Sequence, residues 1–104
     1  MRSGMTFGRF IEKRVMQYLD IQHDIINHLF FLRTGSGVAR LRYTNPKDGI
    51  IKITETYVPT KDREKGIGGA LVDSAISYAR GRKLSIKSEC SFASDYMGKE
   101  AATD

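Results

Sequence analysis

The run Arg63-Glu64-Lys65-Gly66-Ile67-Gly68-Gly69 places three glycines and two cations directly ahead of an apolar-periodic segment. A helix that begins there exposes unpaired backbone N–H groups and the positive end of its dipole. Glycines keep side chains away from that end, so an anion can approach the backbone, and Arg63 and Lys65 add positive charge just before it. The order of strand, loop, glycines and helix describes a phosphate cradle. No Gly-Lys-Ser/Thr closes the run, so it is not a nucleotide P-loop. It also lacks the turn of the dinucleotide fingerprint, which follows the first strand of a parallel unit. The same glycines would serve close helix–sheet packing, and spacing alone leaves both readings open.

Other side chains have types suited to chemistry. Strict alternation along "IIKITETYV" (50–58) puts Ile51, Ile53, Glu55 and Tyr57 on one face and Lys52, Thr54, Thr56 and Val58 on the other. Burial on that otherwise apolar face would raise the Glu55 pKa toward the range of a general base. A bulge near the strand end would instead turn Glu55 to solvent. Cys90, the single cysteine, reads either as a small buried residue at a strand end or as a nucleophile. Glu89 is its one adjacent base in sequence, and alternation sends that carboxylate to the opposite side. Tyr96 follows Phe92 by one helical turn, a spacing suited to packing. His23 and His28 fall in a loop and a strand and read as surface or core histidines, so no metal site is expected.

The elements that must position these groups follow from pattern. "INHLFFLR" (26–33) reads as a strand, "TGSG" (34–37) as a hairpin loop, and "VARLRYT" (38–44) as a half-buried strand. "NPKDG" (45–49) is a turn, and residues 50–58 form the most β-branched strand, stopped by Pro59. Ile67, Ala70, Leu71, Ser74, Ala75, Tyr78 and Ala79 recur on one helix face, with Gly81 as a stop signal. "KLSIKSEC" (83–90) alternates as a further strand, and residues 91–99 fit a short closing helix. A strand, a helix and a strand imply a crossover, so the last strand runs parallel to strand 50–58. The expected fold class is α/β (α+β): a single domain with a mostly antiparallel mixed sheet.

Composition bounds the function. At 104 residues and 40% hydrophobic content, the chain makes one small domain with a modest core. No apolar run reaches the ~20 residues of a membrane helix, and the N-terminus has no secretory h-region. A lone cysteine excludes an intramolecular disulfide and agrees with a cytoplasmic setting. The net charge of +5 lies wholly in residues 1–52, and residues 1–15 supply +3 of it. A basic arm is weak evidence for a nucleic-acid surface. Arg40 and Arg42 alternate away from Tyr43, so they do not form an interleaved basic–aromatic face with it. Residues 1–15 read as an N-terminal extension, either an added helix (Phe7, Phe10, Ile11, Val15) or sequence before a start at Met16. Residues 16–104 are the domain.

With these pieces in place, Arg63-Glu64-Lys65-Gly66-Ile67-Gly68 resembles the (Gln/Arg)-x-x-Gly-x-(Gly/Ala) signature of the GNAT acetyltransferase superfamily. The chain is more closely similar to the small YjdJ-type acetyltransferases, through Thr56-Tyr57-Val58-Pro59, the glycine run, Ala70-Leu71…Ala75…Tyr78-Ala79 and Cys90-Ser91-Phe92, over about residues 23–97. It departs from many relatives at Glu55, where they carry His, and at Ser88, where they carry Pro.

The resemblance implies a GNAT-like domain with a CoA-binding helix, acetyl-CoA as cosubstrate without a metal, and transfer of an acetyl group to an amine. CoA would be held by Val58, Arg63, Glu64, Lys65, Gly66, Ile67, Gly68 and Gly69. Its pantetheine arm would lie where strands 50–58 and 83–89 diverge. The Val58 N–H would polarise the thioester carbonyl, and Glu55 would act as base. Cys90 would face the acyl group as the rival covalent route, and Tyr96 could protonate the departing thiolate. Membrane partners are not expected. The alternatives are a non-catalytic acyl-CoA-binding or protein-interaction domain and, further off, a basic nucleic-acid module. The acceptor and the oligomeric state are not legible.

Overall fold

Alternating apolar residues on four segments and a helical stripe on a fifth must bury against one another, and a sheet with a helix on one face is the solution reached. A computed structural model describes residues 21–103, with side chains through residue 98. The readings of residues 1–15 and of Met16 as a start fall outside the described residues. The elements are β1 (Gln22–Asp24), β2 (Leu29–Thr34), β3 (Gly37–Thr44), β4 (Ile50–Tyr57), a 3₁₀ turn (Thr60–Asp62), α1 (Ile67–Gly81), β5 (Ser85–Ser88) and α2 (Ser91–Thr103). The sheet order is β1-β2-β3-β4-β5. β1 through β4 run antiparallel, and β5 joins β4 in parallel. This is the expected α+β fold with a mixed sheet and two helices.

One edge strand escapes sequence pattern. The strand expected from residue 26 begins at Leu29, and residues 25–28 are instead the turn from a three-residue β1. Gln22, His23 and Asp24 carry no strand propensity as a group, and His23 is what ties them in. Its ring stacks on Phe30 at 3.9 Å and meets Tyr78 edge-on at 4.4 Å. The expected strand 83–90 contracts to Ser85–Ser88.

The core lies between the sheet and α1. Ala39, Leu41, Ile51, Ile53, Leu71, Val72 and Ala75 are fully buried there. Removing each large aliphatic side chain from water contributes roughly 1.5–3 kcal/mol. The inward residues of β2 and β3 alternate as the pattern requires: Phe30 and Leu32, then Ala39, Leu41 and Tyr43.

Strand β4 breaks its own alternation. Arg42 pairs with Glu55, but Tyr43 pairs with Ile53, so Thr54 is an extra residue opposite the Arg42–Tyr43 step. A bulge of this kind shifts every later side chain to the other face. Ile51 and Ile53 face the core before it, and Thr56 rather than Glu55 takes up the inward register after it.

Candidate active site

β4 and β5 part company midway. Their register runs from Ile50↔Ser85 to Ile53↔Ser88, and the Glu89 N–H donates to the Ile53 carbonyl at 2.9 Å. Beyond that bond, Thr54–Tyr57 keep β3 as neighbour but have no partner in β5. An unpaired stretch of strand edge is a template for a ligand with amides of its own.

A cavity of about 410 Å³ opens at the end of this stretch. Thr56 and Tyr57 line it from the strand, Val58 from just past its end, Asp62, Arg63, Glu64 and Gly66–Gly69 from the loop and helix, and Phe92 from α2. Gly66 is the N-cap of α1 at φ 81°, a left-handed conformation that favours glycine. α1 has no side-chain cap and no acidic residue in its first turn. Its first intrahelical bond is donated by the Ala70 N–H to Gly66 O at 3.0 Å. The N–H groups ahead of Ala70 therefore face the cavity end of the helix without a capping side chain, which is the electrostatics of an anion site.

The loop ahead of α1 is held by a residue that sequence reasoning missed. Asp62 is 5% exposed, and it accepts from the Thr34 hydroxyl at 2.6 Å and from Lys65 Nζ at 3.0 Å. Thr34 and then Lys65 hold the Asp62 carboxyl below the ordinary carboxylate range. Thr34 lies on the β2–β3 hairpin, 28 residues away, so no local signal announces the pair. Lys65 does not line the cavity, and its ammonium donates to Asp62. Arg63 does line it, with its Nε donating to the Val58 carbonyl at 2.9 Å.

The glycines serve close packing, one of the two purposes considered from the sequence. A Cβ on Gly68 would sit 2.9 Å from Phe92 Cζ, and one on Gly69 would sit 2.8 Å from Tyr96 Cε1. α2 thus lays its two aromatic rings on the glycine turn of α1. Tyr96 is anchored there by its hydroxyl, which donates to Asp73 at 3.0 Å. Phe92 remains 45% exposed and walls the cavity.

Glu55 is not on the apolar face. The bulge turns it outward, its side chain is 45% exposed, and it pairs with Arg42 at 3.3 Å and Arg40 at 3.6 Å. The bulge brings Thr56 toward Cys90 instead, with Cys90 Sγ 3.5 Å from Thr56 Oγ1. The Cys90 N–H donates to Ser88 Oγ at 3.0 Å, so Ser88 organises the turn from β5 into α2. Of the expected catalytic residues, Glu55, Cys90 and Tyr96, none lines the cavity itself. Glu55 adjoins the lining residue Thr56 in sequence, and Cys90 touches it.

A strand that splays from its parallel neighbour beside an uncapped, glycine-rich helix start is the geometry the resemblance describes. The family model of the GCN5-related N-acetyl-transferases matches residues 29–104, and the chain belongs to that family. N-acetyl transfer is accordingly its general activity. No curated protein matches the sequence. Among the described residues, no group of three His, Cys, Asp or Glu side chains could hold a metal ion, and no helix is long and apolar enough to cross a membrane.

Proposed function

We propose that the chain is a YjdJ-type N-acetyltransferase that takes its acetyl group from acetyl-CoA and delivers it directly to an amine. The observation that carries this reading is the uncapped N-terminus of α1 opening on the cavity where β4 loses β5. Acetyl-CoA would supply an activated thioester. The residues present fit such a molecule: the backbone N–H groups of Ile67, Gly68 and Gly69 would hold its pyrophosphate, with Gly66 and Glu64 shaping the loop and Arg63 at the rim. The unpaired edge of Thr54–Tyr57 would pair the pantetheine amides. The Val58 N–H, just past the end of β4, would stabilise charge on the thioester oxygen.

The acceptor amine would attack the acetyl carbon from the outer side of the sheet. As its nitrogen bonds to that carbon the C–S bond breaks, the thiolate leaves, and the amine proton passes to Glu55 directly or through water. The outward turn of Glu55 suits a base that serves an acceptor arriving from solvent. Tyr96 acts by packing α2 on the glycine turn, since its hydroxyl is already committed to Asp73. Cys90 remains the alternative, a covalent acetyl-thiol route. Its contact with Thr56 is with a hydroxyl that is no base, which favours direct transfer.

Calorimetric titration with CoA tests the first half of this reading, and absence of binding to the wild-type chain would end it. Steady-state kinetics test the second. Glu55→Gln should lower turnover by ~10²-fold or more with CoA affinity kept, while Cys90→Ala should keep substantial activity. An inactive Cys90→Ala beside an active Glu55→Gln, with labelled acetyl trapped on Cys90, would establish the covalent route instead.

A further inference from the structure

The face of the sheet turned away from α1 carries an arrangement that neither the core nor the cradle uses. Phe31, Arg40 and Tyr57 lie side by side across β2, β3 and β4, and Leu29, Arg42 and Glu55 form the next row. The Arg40 guanidinium sits 4.7 Å over the Tyr57 ring, and Arg33 sits 5.3 Å over Phe31. Glu55 lies between Arg40 and Arg42 and pairs with both, and Asp24 stands at the β1 end of its row. Arg40 Nε is buried and has no hydrogen-bond partner among the described residues. A buried donor without a partner costs stability unless something else satisfies it. Tyr57 joins this face to the cavity, because it lines the cavity and also stacks with Arg40.

We infer that this face receives the acceptor as a peptide segment whose amine is flanked by acidic residues, a conclusion that rests on the acetyltransferase reading and names its substrate class. The charges Arg40, Glu55, Arg42 run positive, negative, positive. Their complement is a carboxylate on either side of an ammonium, with the ammonium over Glu55, the proposed base. Arginine suits this role because its planar fork pairs with carboxylates while its face stacks on an aromatic ring. Complementary charge of this kind sets partner choice and register more than raw affinity. Among the described residues the surface is an open sheet face, which an extended peptide can cross, whereas small molecules favour concave sites. The chain's own first twenty residues have the wrong sign for it, with Arg2, Arg9, Lys13 and Arg14 against Glu12 and Asp20.

The test uses the full chain, ¹⁵N-labelled, and two lysine heptapeptides that differ only in flanking residues, one acidic and one basic. The arginine Nε–H resonances report the contact. The acidic peptide should shift the Arg40 and Arg42 signals and lose affinity as salt rises. Arg42→Glu should weaken it by about tenfold or more, and Arg42→Gln by less in the same direction, with CoA affinity unchanged in both. Equal or better binding of the basic peptide, acidic-peptide binding that leaves both arginine signals unmoved, or free glutamate competing at the same concentration as the peptide would each overturn the proposal. A wild-type chain that binds the acidic peptide but not CoA would mean that the acetyltransferase reading had failed while the acidic-peptide surface stood.

Discussion

At its C-terminal end α1 packs Tyr78 against His23, Phe30 and Tyr43, and Arg82 folds over the Tyr78 ring at 5.3 Å. At its N-terminal end the same helix begins with Gly66, has no cap, and faces a cavity. Polar groups at the first end find partners within the fold. The Arg82 N–H donates back to the Tyr78 and Ala79 carbonyls, and His23 Nε2 lies 2.7 Å from the Tyr43 hydroxyl. Burial lowers the His23 pKa and pushes that of Tyr43 up to about 12, so at neutral pH the two uncharged groups share one hydrogen bond. At the second end the helix N–H groups meet no capping side chain among the described residues. A domain this small must close one end well enough that the other can stay open, and stability and ligand binding should therefore respond to different residues.

The largest effect should come from the closed end. Phe30 is 3% exposed and stacks with His23, so Phe30→Ala should cost about 3–5 kcal/mol in a urea titration. CoA affinity, measured where the variant is still folded, should barely change. A large loss of affinity would show that the two ends are coupled through α1.

Gly68→Asp should produce the reverse pattern. A carboxylate about 6 Å from a pyrophosphate charge, at an effective dielectric of ~20, opposes binding by roughly 2.8 kcal/mol, about 100-fold. The same carboxylate at a helix N-terminus favours the helix by roughly 0.3–1 kcal/mol. Affinity should collapse while the melting temperature holds or rises. Gly68→Ala separates charge from bulk, because its Cβ meets only the tip of the half-exposed Phe92 ring, which can rotate away. If calorimetry finds the Asp variant binding CoA like the wild type, the helix end is not the phosphate site.

The smallest effect is a pH dependence confined to the closed end. Burial and then Arg82 hold His23 below its usual pKa of about 6.5, so the unfolded chain binds the proton more readily than the folded one. The stability it contributes is present above pH ~6.5 and is lost as pH falls through the lower, folded value. Replacing His23 by Phe keeps the stacking and should flatten that slope between pH 7.5 and 5.5. An unchanged slope would mean that another group titrates there.

Much of the fold was legible because it rests on local pattern. The β2–β3–β4 meander needs only alternation and turn chemistry, and α1 needs only its 3.6-residue stripe. β1 was not legible, since its three residues join the sheet through the rings of Phe30, Tyr43 and Tyr78 rather than through any propensity of their own. In the candidate site the split falls in the same place. Gly66, Gly68 and Gly69 marked the start of α1 by spacing, whereas the Asp62–Thr34 bond that steadies the loop before it joins residues 28 apart.

β4 shows the boundary within one strand. The sequence by itself determined that residues 50–57 are a strand, that Pro59 follows it, and that a glycine-rich helix start comes next, because β-branching, the proline ring and the missing Cβ act over a few residues. Only the tertiary structure decided which way the second half of that strand faces. The extra residue at Thr54 is defined by its mismatch with Arg42 and Tyr43 across the sheet. That mismatch turns Glu55 out to the two arginines and brings Thr56 to Cys90. A bulge is a property of two strands in register, and a single strand's sequence holds only one of them.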